Sequence, residues 1–414
     1  MAAGPPPTDG ERPPEKRRRW LHWLVGIGVG LLALVVILVV VFVIATRNPA
    51  VGAFYDSPSD ITAAPGTILR SERFDRNIPA GAQAWKVLYA STDAQGRPIA
   101  VSGLIIAPLD AGTGPHPLLA WSHGTTGINR PCAPSLAQDP LKGVPDMTGP
   151  LDRGWVLALT DYPGLGTTSP HPYLVGESEG RAVLDSVRAT HDLDIGVQLD
   201  DTYAIWGHSQ GGHASLFAGQ LAPDYLPEYD LAGVAALAPA TQLADNFAAI
   251  EGTEAGDLLT ILAVESWKVY YGDIPADTLA ADAQKPAERI AKDCLNQPSR
   301  YRLLVNVVSL PKTVVAIDPA SNPIWQRHLD ANAPAPTGVR TPLFVGQGLA
   351  DEVVNEQVTT TFVTDRCTAG APTVYHTYPD VTHNSVVGPA GADAFSWTID
   401  RFEGTTSPDD CPTS

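Results

Sequence analysis

A single serine stands among glycines in GHSQGG, Gly207 to Gly212, directly after the apolar run Tyr203 to Trp206. A strand ending at Trp206 and a helix starting at the serine would form a sharp turn that lifts the hydroxyl off the top of a sheet. Small residues at 207 and 211 let such a turn close without a Cβ collision. The helix N-terminus would also direct partial positive charge at an anion forming beside Ser209. The bare Gly-x-Ser-x-Gly spacing is a weak signal, and the strand before it and the helix after it give it weight. A serine hydroxyl is a poor nucleophile alone; it needs an imidazole base and a carboxylate that orients the base. Downstream, GLADE (Gly348 to Glu352) follows an apolar run ending at Val345, and PDVTHN (Pro379 to Asn384) follows one ending at Tyr378. We assign Asp351 as the orienting acid and His383 as the base, in the chain order Ser, Asp, His.

Neighbouring residues compete for these roles. Glu352 is expected to point away from the site, and Asp380 to cap a turn. His376 falls inside a strand pattern, and His328 has no carboxylate-bearing strand end ahead of it. His208 and His213 flank the serine and are expected to pack or to shape a pocket. An oxyanion formed on attack needs backbone N–H donors. Gln210, just after the nucleophile, should give one. The other must come from an early loop, HGTTG (His123 to Gly127) or DYPG (Asp161 to Gly164). Ordinary Gly-rich strand-to-helix turns would look the same.

The elements that must position these residues follow from periodicity. Trp85 to Tyr89 and Pro98 to Ile106, separated by DAQG, read as an antiparallel hairpin. Pro117 to Ser122, Trp155 to Thr160, Thr202 to Trp206, Leu231 to Ala238, Thr341 to Val345 and Thr373 to Tyr378 read as further strands. Helical patterns lie over Glu177 to Asp192, His208 to Leu221, Asn355 to Arg366 and Ala392 to Phe402. This alternation predicts an α/β fold with a mostly parallel sheet covered on both faces. Residues 241–335 show helical patches and scattered prolines but no strand pattern, and read as a helical insertion. The expected core is therefore 81–240 with 336–414. Residues 46–80, rich in Pro, Ala, Ser and Asp, read as a linker and N-terminal arm.

Leu24 to Ala45 contains no charge and is long enough to span a bilayer as a helix. The basic cluster Lys16 to Arg19, with Trp20 and Trp23, precedes it, so residues 1–23 are expected to be a cytoplasmic basic tail and the body to lie outside. The apolar run exceeds the ~7–15 residues of a cleavable signal, which favours an uncleaved anchor in the cell membrane; a cut segment would make the protein secreted. The chain carries a net charge of −18. Beyond residue 47 there are 21 basic against 42 acidic residues. Such a body repels phosphates, and a nucleic-acid partner is excluded. The four cysteines, Cys132, Cys294, Cys367 and Cys411, imply two disulfides in an exported body, with three pairings open. No C-x-x-C spacing exists, so neither a zinc site nor any other metal or cofactor is expected.

GHSQGG, the Asp-then-His order, CAPS (Cys132 to Ser135), TDYPG (Thr160 to Gly164) and the helical insertion together resemble the secretory lipases of the lipase A type. These are α/β-hydrolases with a cap, and the resemblance spans residues 60–411. It implies that 241–335 is the cap, and that the second oxyanion donor is the Asp161 backbone, with Thr125 as the alternative. It also implies the pairings Cys367–Cys411 and Cys132–Cys294. The activity it implies is carboxylic ester hydrolysis through an acyl-enzyme, on a lipid or other apolar ester. A monomer is expected. Leu258, Leu259, Ile261, Leu262, Trp267, Tyr270 and Tyr271 would then supply an acyl pocket or the cap's own core. A serine peptidase on the same scaffold is a second reading, with Glu251 and Glu254, or Asp224 and Glu228, holding a substrate amine. Acyl transfer to an envelope lipid is a third, and an anchored binding protein with a broken site a fourth.

Overall fold

The computed structural model describes residues 15–411, and residues 1 and 4. Most of the tail expected before the apolar run, residues 2–3 and 5–14, lies outside the described residues. Two compact units divide the chain, Met1–Arg47 and Asn48–Ser414.

The first unit contains one helix, α1 (Glu15–Ala45). Its stretch His22–Ala45 has a mean hydropathy of 3.4 over its most apolar window, and it is long and apolar enough to cross a membrane. The helix begins upstream of the apolar run, so the basic cluster continues it as further turns.

The second unit is built on one nine-stranded sheet. The strands are β1 (Ile68–Phe74), β2 (Ala82–Thr92), β3 (Pro98–Pro108), β4 (His116–Ser122), β5 (Val156–Thr160), β6 (Leu199–His208), β7 (Asp230–Leu237), β8 (Leu343–Gly348) and β9 (Thr373–Tyr378). Their spatial order is β1-β2-β3-β5-β4-β6-β7-β8-β9. From β5 to β9 every pairing is parallel, whereas β1, β2 and β3 join antiparallel. The hairpin between β2 and β3 is closed by Asp93, whose Oδ1 accepts from the backbone of Gln95 and Arg97, both at 2.9 Å.

β1 lies inside the stretch expected to be linker and arm. Its sequence, ILRSERF, lacks an alternating apolar face, and residues 71–73 are exposed. Backbone pairing with β2 holds it, together with contacts of its charged side chains such as Glu72 with Lys86 at 2.6 Å and Arg73 with Gln83 at 2.9 Å, and with Phe74 buried at its end. A short charged edge strand of this kind leaves little hydrophobic signal and guards the sheet from further pairing.

Strands β4 and β5 are buried almost throughout, as a sheet covered on both faces requires. On one face α3 (Gly176–Asp192) and α4 (Gln210–Tyr225) pack against Val87, Tyr89, Ile105 and Ile205. On the other, α2 (Thr148–Asp152) and α11 (Val387–Phe402) cover Trp121, Trp206 and Phe344. Trp206 is fully buried, and its indole N–H donates to Thr398 Oγ1 at 2.9 Å. α10 (Glu356–Thr368) connects β8 to β9.

Between β7 and β8 the chain forms five helices: α5 (Leu243–Ala249), α6 (Glu254–Tyr270), α7 (Gln284–Ile290), α8 (Arg300–Val308) and α9 (Pro323–Ala331). One isolated antiparallel bridge, Leu279 to Val315, accompanies them. Trp267 and Trp325 stack at 5.1 Å in their shared core, and Tyr271 stacks on His328 at 3.9 Å. Of the apolar residues expected to form either an acyl pocket or this core, Ile261, Leu262 and Trp267 are buried within it, with Tyr270 and Tyr271 packed alongside. Disulfides join Cys132 to Cys294 and Cys367 to Cys411. The first fastens the loop after β4 to the segment before α8.

Candidate active site

Ser209 is the hinge between β6 and α4, and its backbone adopts φ 59°, ψ −119°. This is a costly conformation for a residue with a Cβ, of order 1–3 kcal/mol, and it persists only where the surroundings enforce it. Gly207 and Gly211 make the enforcement possible. A Cβ on Gly207 would fall 2.1 Å from the Gly211 carbonyl oxygen, and one on Gly211 would fall 1.9 Å from that of Ser122. The serine N–H donates to Leu237 O at 2.9 Å, which pins the turn to the end of β7.

His383 and Asp351 meet this serine from the loops after β9 and β8. His383 Nε2 lies 2.8 Å from Ser209 Oγ, and its Nδ1 lies 2.8 Å from Asp351 Oδ2. The Asp351 carboxylate is wholly buried and multiply bonded. Its Oδ1 accepts from Val353 N at 2.9 Å and Val354 N at 2.8 Å, and its Oδ2 from Gln347 Nε2 at 3.2 Å. The two loops are also stitched together, with Leu349 N donating to Tyr378 O and Ala350 N to Val381 O, each at 3.0 Å. His208 donates from Nε2 to the His383 carbonyl at 2.8 Å, holding the base from behind. Burial, helped by His383, pushes the His208 imidazole down to about 3, so it is neutral there.

The competing residues lie elsewhere. Glu352 and Asp380 are exposed. His376 binds Asp393 at 2.9 Å, and His328 binds Asp273 at 2.8 Å. His213 donates from Nε2 to Asn332 O at 2.7 Å.

The oxyanion assignment to Asp161 needs correction. Its N–H donates to Ser102 O at 2.8 Å, because the antiparallel ladder between β3 and β5 runs one residue past Thr160. That donor is spent within the sheet. The side chain is buried beneath the CAPS segment, accepting from Ser102 Oγ at 2.6 Å and from Ser135 N at 2.9 Å. Burial pushes its carboxyl up, against the pull of the Ser102 and Ser135 bonds. The alternative loop is better placed. A Cβ on Gly124 would sit 3.6 Å from Ser209 Cβ, so this backbone runs beside the nucleophile. Thr125 lines the same cavity, and among the described residues its N–H has no intramolecular acceptor. The Gln210 N–H lies in the first turn of α4, where a helix leaves its N–H groups free.

The sequence reading missed Glu179. It sits on α3 with its side chain fully enclosed, accepting from Gln210 Nε2 at 2.6 Å and Leu174 N at 3.1 Å. The Gln210 amide also reaches His171 Nε2 at 3.3 Å. Burial pushes the Glu179 carboxyl up, with His213 and Gln210 opposing. A signal was present: Glu179 stands three and four residues before the buried Ala182 and Val183, on one face of the helix.

Ser209, His383, Thr125 and His208 open onto a cavity of about 570 Å³ whose walls include Leu104, Trp121, Leu159, Leu258, Leu259 and Leu295. Leu258 and Leu259 thus reach it from α6, and the other apolar residues proposed for an acyl pocket do not. No cluster of His, Cys, Asp or Glu suited to a metal occurs among the described residues.

A family model described as secretory lipase matches residues 145–410. Lipase A of Arthroderma benhamiae (strain ATCC MYA-4681 / CBS 112371) is 27% identical over 392 residues, 88% of this chain and 82% of that protein. A Mycobacterium tuberculosis (strain CDC 1551 / Oshkosh) protein named "Probable inactive lipase MT1628" is 24% identical over 86% of this chain and 83% of its own. In fold, the chain is similar to Candida antarctica lipase A in its closed state, with a TM-score of 0.74, 21% identity, and coverage of 88% of this chain and 89% of that one. The chain belongs to the secretory lipase family.

Proposed function

We propose that the body hydrolyses carboxylic esters with apolar acyl groups, using Ser209 as nucleophile, His383 as base and Asp351 as its orienting acid. The observation that carries this reading is His383 bridging Ser209 Oγ and Asp351 Oδ2, both at 2.8 Å, at the wall of a mostly apolar cavity. Ser209 Oγ attacks the carbonyl carbon while Nε2 of His383 takes its proton. The Gln210 and Thr125 N–H groups receive the oxyanion. The imidazolium then protonates the leaving alkoxide, and an acyl-serine remains. Water, deprotonated by His383, attacks that ester; the carboxylic acid leaves and Ser209 regains its proton. Residues 241–335 act as a cap over the acyl site.

Esters are favoured over peptides because none of Glu251, Glu254, Asp224 or Glu228 lines the cavity. Glu228 is instead engaged by Arg188 at 2.6 Å. Membership of the family and two disulfides support a body on the oxidising side of the membrane. The length and apolarity of α1 support an uncleaved tether.

A p-nitrophenyl ester chain-length series, a p-nitroanilide peptide and a fluorophosphonate probe test the reading. Ester turnover that rises with chain length, with labelling at Ser209, is the expected result. Labelling with turnover of the anilide alone would replace it with a peptidase, and no labelling would end it.

A further inference from the structure

α8 turns an apolar face to solvent. Tyr301, Leu304, Val305 and Val308 are between 53% and 68% exposed, and their spacing of i, i+3, i+4 and i+7 puts them on one stripe. The opposite face is secured, with Leu303 and Val307 buried and Arg302 Nε bound to the buried Asp293 carboxylate at 2.8 Å. The stripe is therefore held rigidly in the open, and a contiguous apolar patch of this kind marks an interaction surface.

The sequence around it has the opposite sign to the rest of the body. Residues 285–312 carry Lys285, Arg289, Lys292, Arg300, Arg302 and Lys312 against only Glu288 and Asp293. All of these cations but Arg302 are exposed. The remainder of 48–414 carries 15 basic and 40 acidic residues. A second connection comes from the chain itself. Asn48 Nδ2 donates to Lys292 O at 2.8 Å, so the first residue of the body is fastened close before α8. Leu295 and Asn296, which lead into α8, line the cavity.

We propose that α8 and its flanking lysines and arginines form a docking face for an anionic bilayer surface. The apolar stripe enters the headgroup boundary while the cations meet lipid phosphates. A second copy of this chain fits poorly, because a symmetric pair would set two cationic patches against each other. The face would act in addition to the membrane tether proposed for α1, and Leu295, just before α8, lines the cavity, so docking here would bring the cavity to esters dissolved in the bilayer.

The test uses the full chain, with Leu304→Cys carrying an environment-sensitive NBD dye and Leu109→Cys as control, since Leu109 is 63% exposed beyond the opposite strand ends. Each is reconstituted in vesicles of phosphatidylcholine alone or with phosphatidylglycerol. The expected result is a severalfold rise and blue shift in emission at 304 only with phosphatidylglycerol, with none at 109. Joint substitution of Lys285, Arg289, Lys292 and Lys312 by Gln should abolish the rise while turnover of a soluble ester persists. A dye at 304 that stays wet on anionic vesicles while the protein remains membrane-bound overturns the docking face and leaves the tether standing. Release of a clipped, soluble body that still floats with anionic vesicles, and loses flotation on Leu304→Asp, overturns the tether and supports the face. Shielding of the dye without vesicles assigns the stripe to a second copy and overturns the proposal.

Discussion

The two walls of the cavity are built differently. On the side of β8 and β9, Asp351 and His383 sit in loops whose backbones bond to each other and whose side chains have every partner supplied. On the side of β4 and β5, residue types that look equally chemical are spent on structure. Asp161 gives its N–H to β3 and its carboxylate to two serines, and His123 sets Nε2 against the Asp161 carbonyl at 3.2 Å. The lesson is that a polar residue past a strand end belongs to the chemistry only where the sheet has left its donors free.

The sharpest break of this comparison comes on the β8–β9 wall. His383→Ala and Ser209→Ala should each lower kcat by about 10⁴ or more, and Asp351→Asn by a similar order, since the imidazole then loses its orienting acceptor. Turnover of a p-nitrophenyl ester, with fluorophosphonate labelling, reads all three. Activity within tenfold of the parent in any of them would remove that residue from the proposed triad.

On the β4–β5 wall the effects should separate into two kinds. Thr125→Pro deletes one backbone N–H and should cost about 10²–10³ in kcat, the range expected for one oxyanion donor. Thr125→Ser, which keeps that N–H, should not. Asp161→Asn should leave kcat within a few-fold and instead lower stability by about 1–3 kcal/mol, because it leaves buried hydroxyl partners mismatched. Urea midpoints and single-turnover rates on the same preparations would tell the two apart. A large kcat loss in Asp161→Asn with unchanged stability would return it to the oxyanion site.

Glu179 lies between these cases. It does not line the cavity, but it holds the side chain of Gln210, whose backbone is one proposed donor. Glu179→Gln should lower kcat less than Thr125→Pro does and leave KM unchanged, which is the mark of a positioning residue and not of a binding one. A rise in KM alone would count against that role.

The sequence was legible where chemistry and hydrophobic period coincide. Apolar runs located β4 to β9, and the residues just past their ends included Ser209, Asp351 and His383. β1 was illegible because an edge strand held by backbone bonds and by charged side chains such as Glu72 and Arg73 needs no alternating apolar face. The Asp161 assignment failed because the fate of an N–H depends on how far two strands stay paired, a tertiary fact that no residue type records. Gln347 was missed for a related reason. It is wholly buried in β8 and reads as an interruption of an apolar run until its amide is seen to reach Asp351.

The smallest expected difference concerns the two disulfides, only one of which fastens a segment of the cavity wall. Cys132–Cys294 closes 162 residues and anchors the β4 loop to the helices between β7 and β8, whereas Cys367–Cys411 closes 44 at the far edge of the sheet. Loop-closure entropy favours the longer cross-link by about 1 kcal/mol. Replacing both members of the first pair by serine should therefore lower the urea midpoint further than replacing both of the second. The functional consequences should diverge more than the stabilities do. Losing Cys132–Cys294 frees the segment that carries Leu295 into the cavity wall, so chain-length preference should blur. Losing Cys367–Cys411 touches only the end of α10 and the chain terminus, and should leave that preference intact. A preference unchanged in both variants would mean that the cavity wall is held by packing around Trp267 and Trp325, with the disulfide adding stability alone.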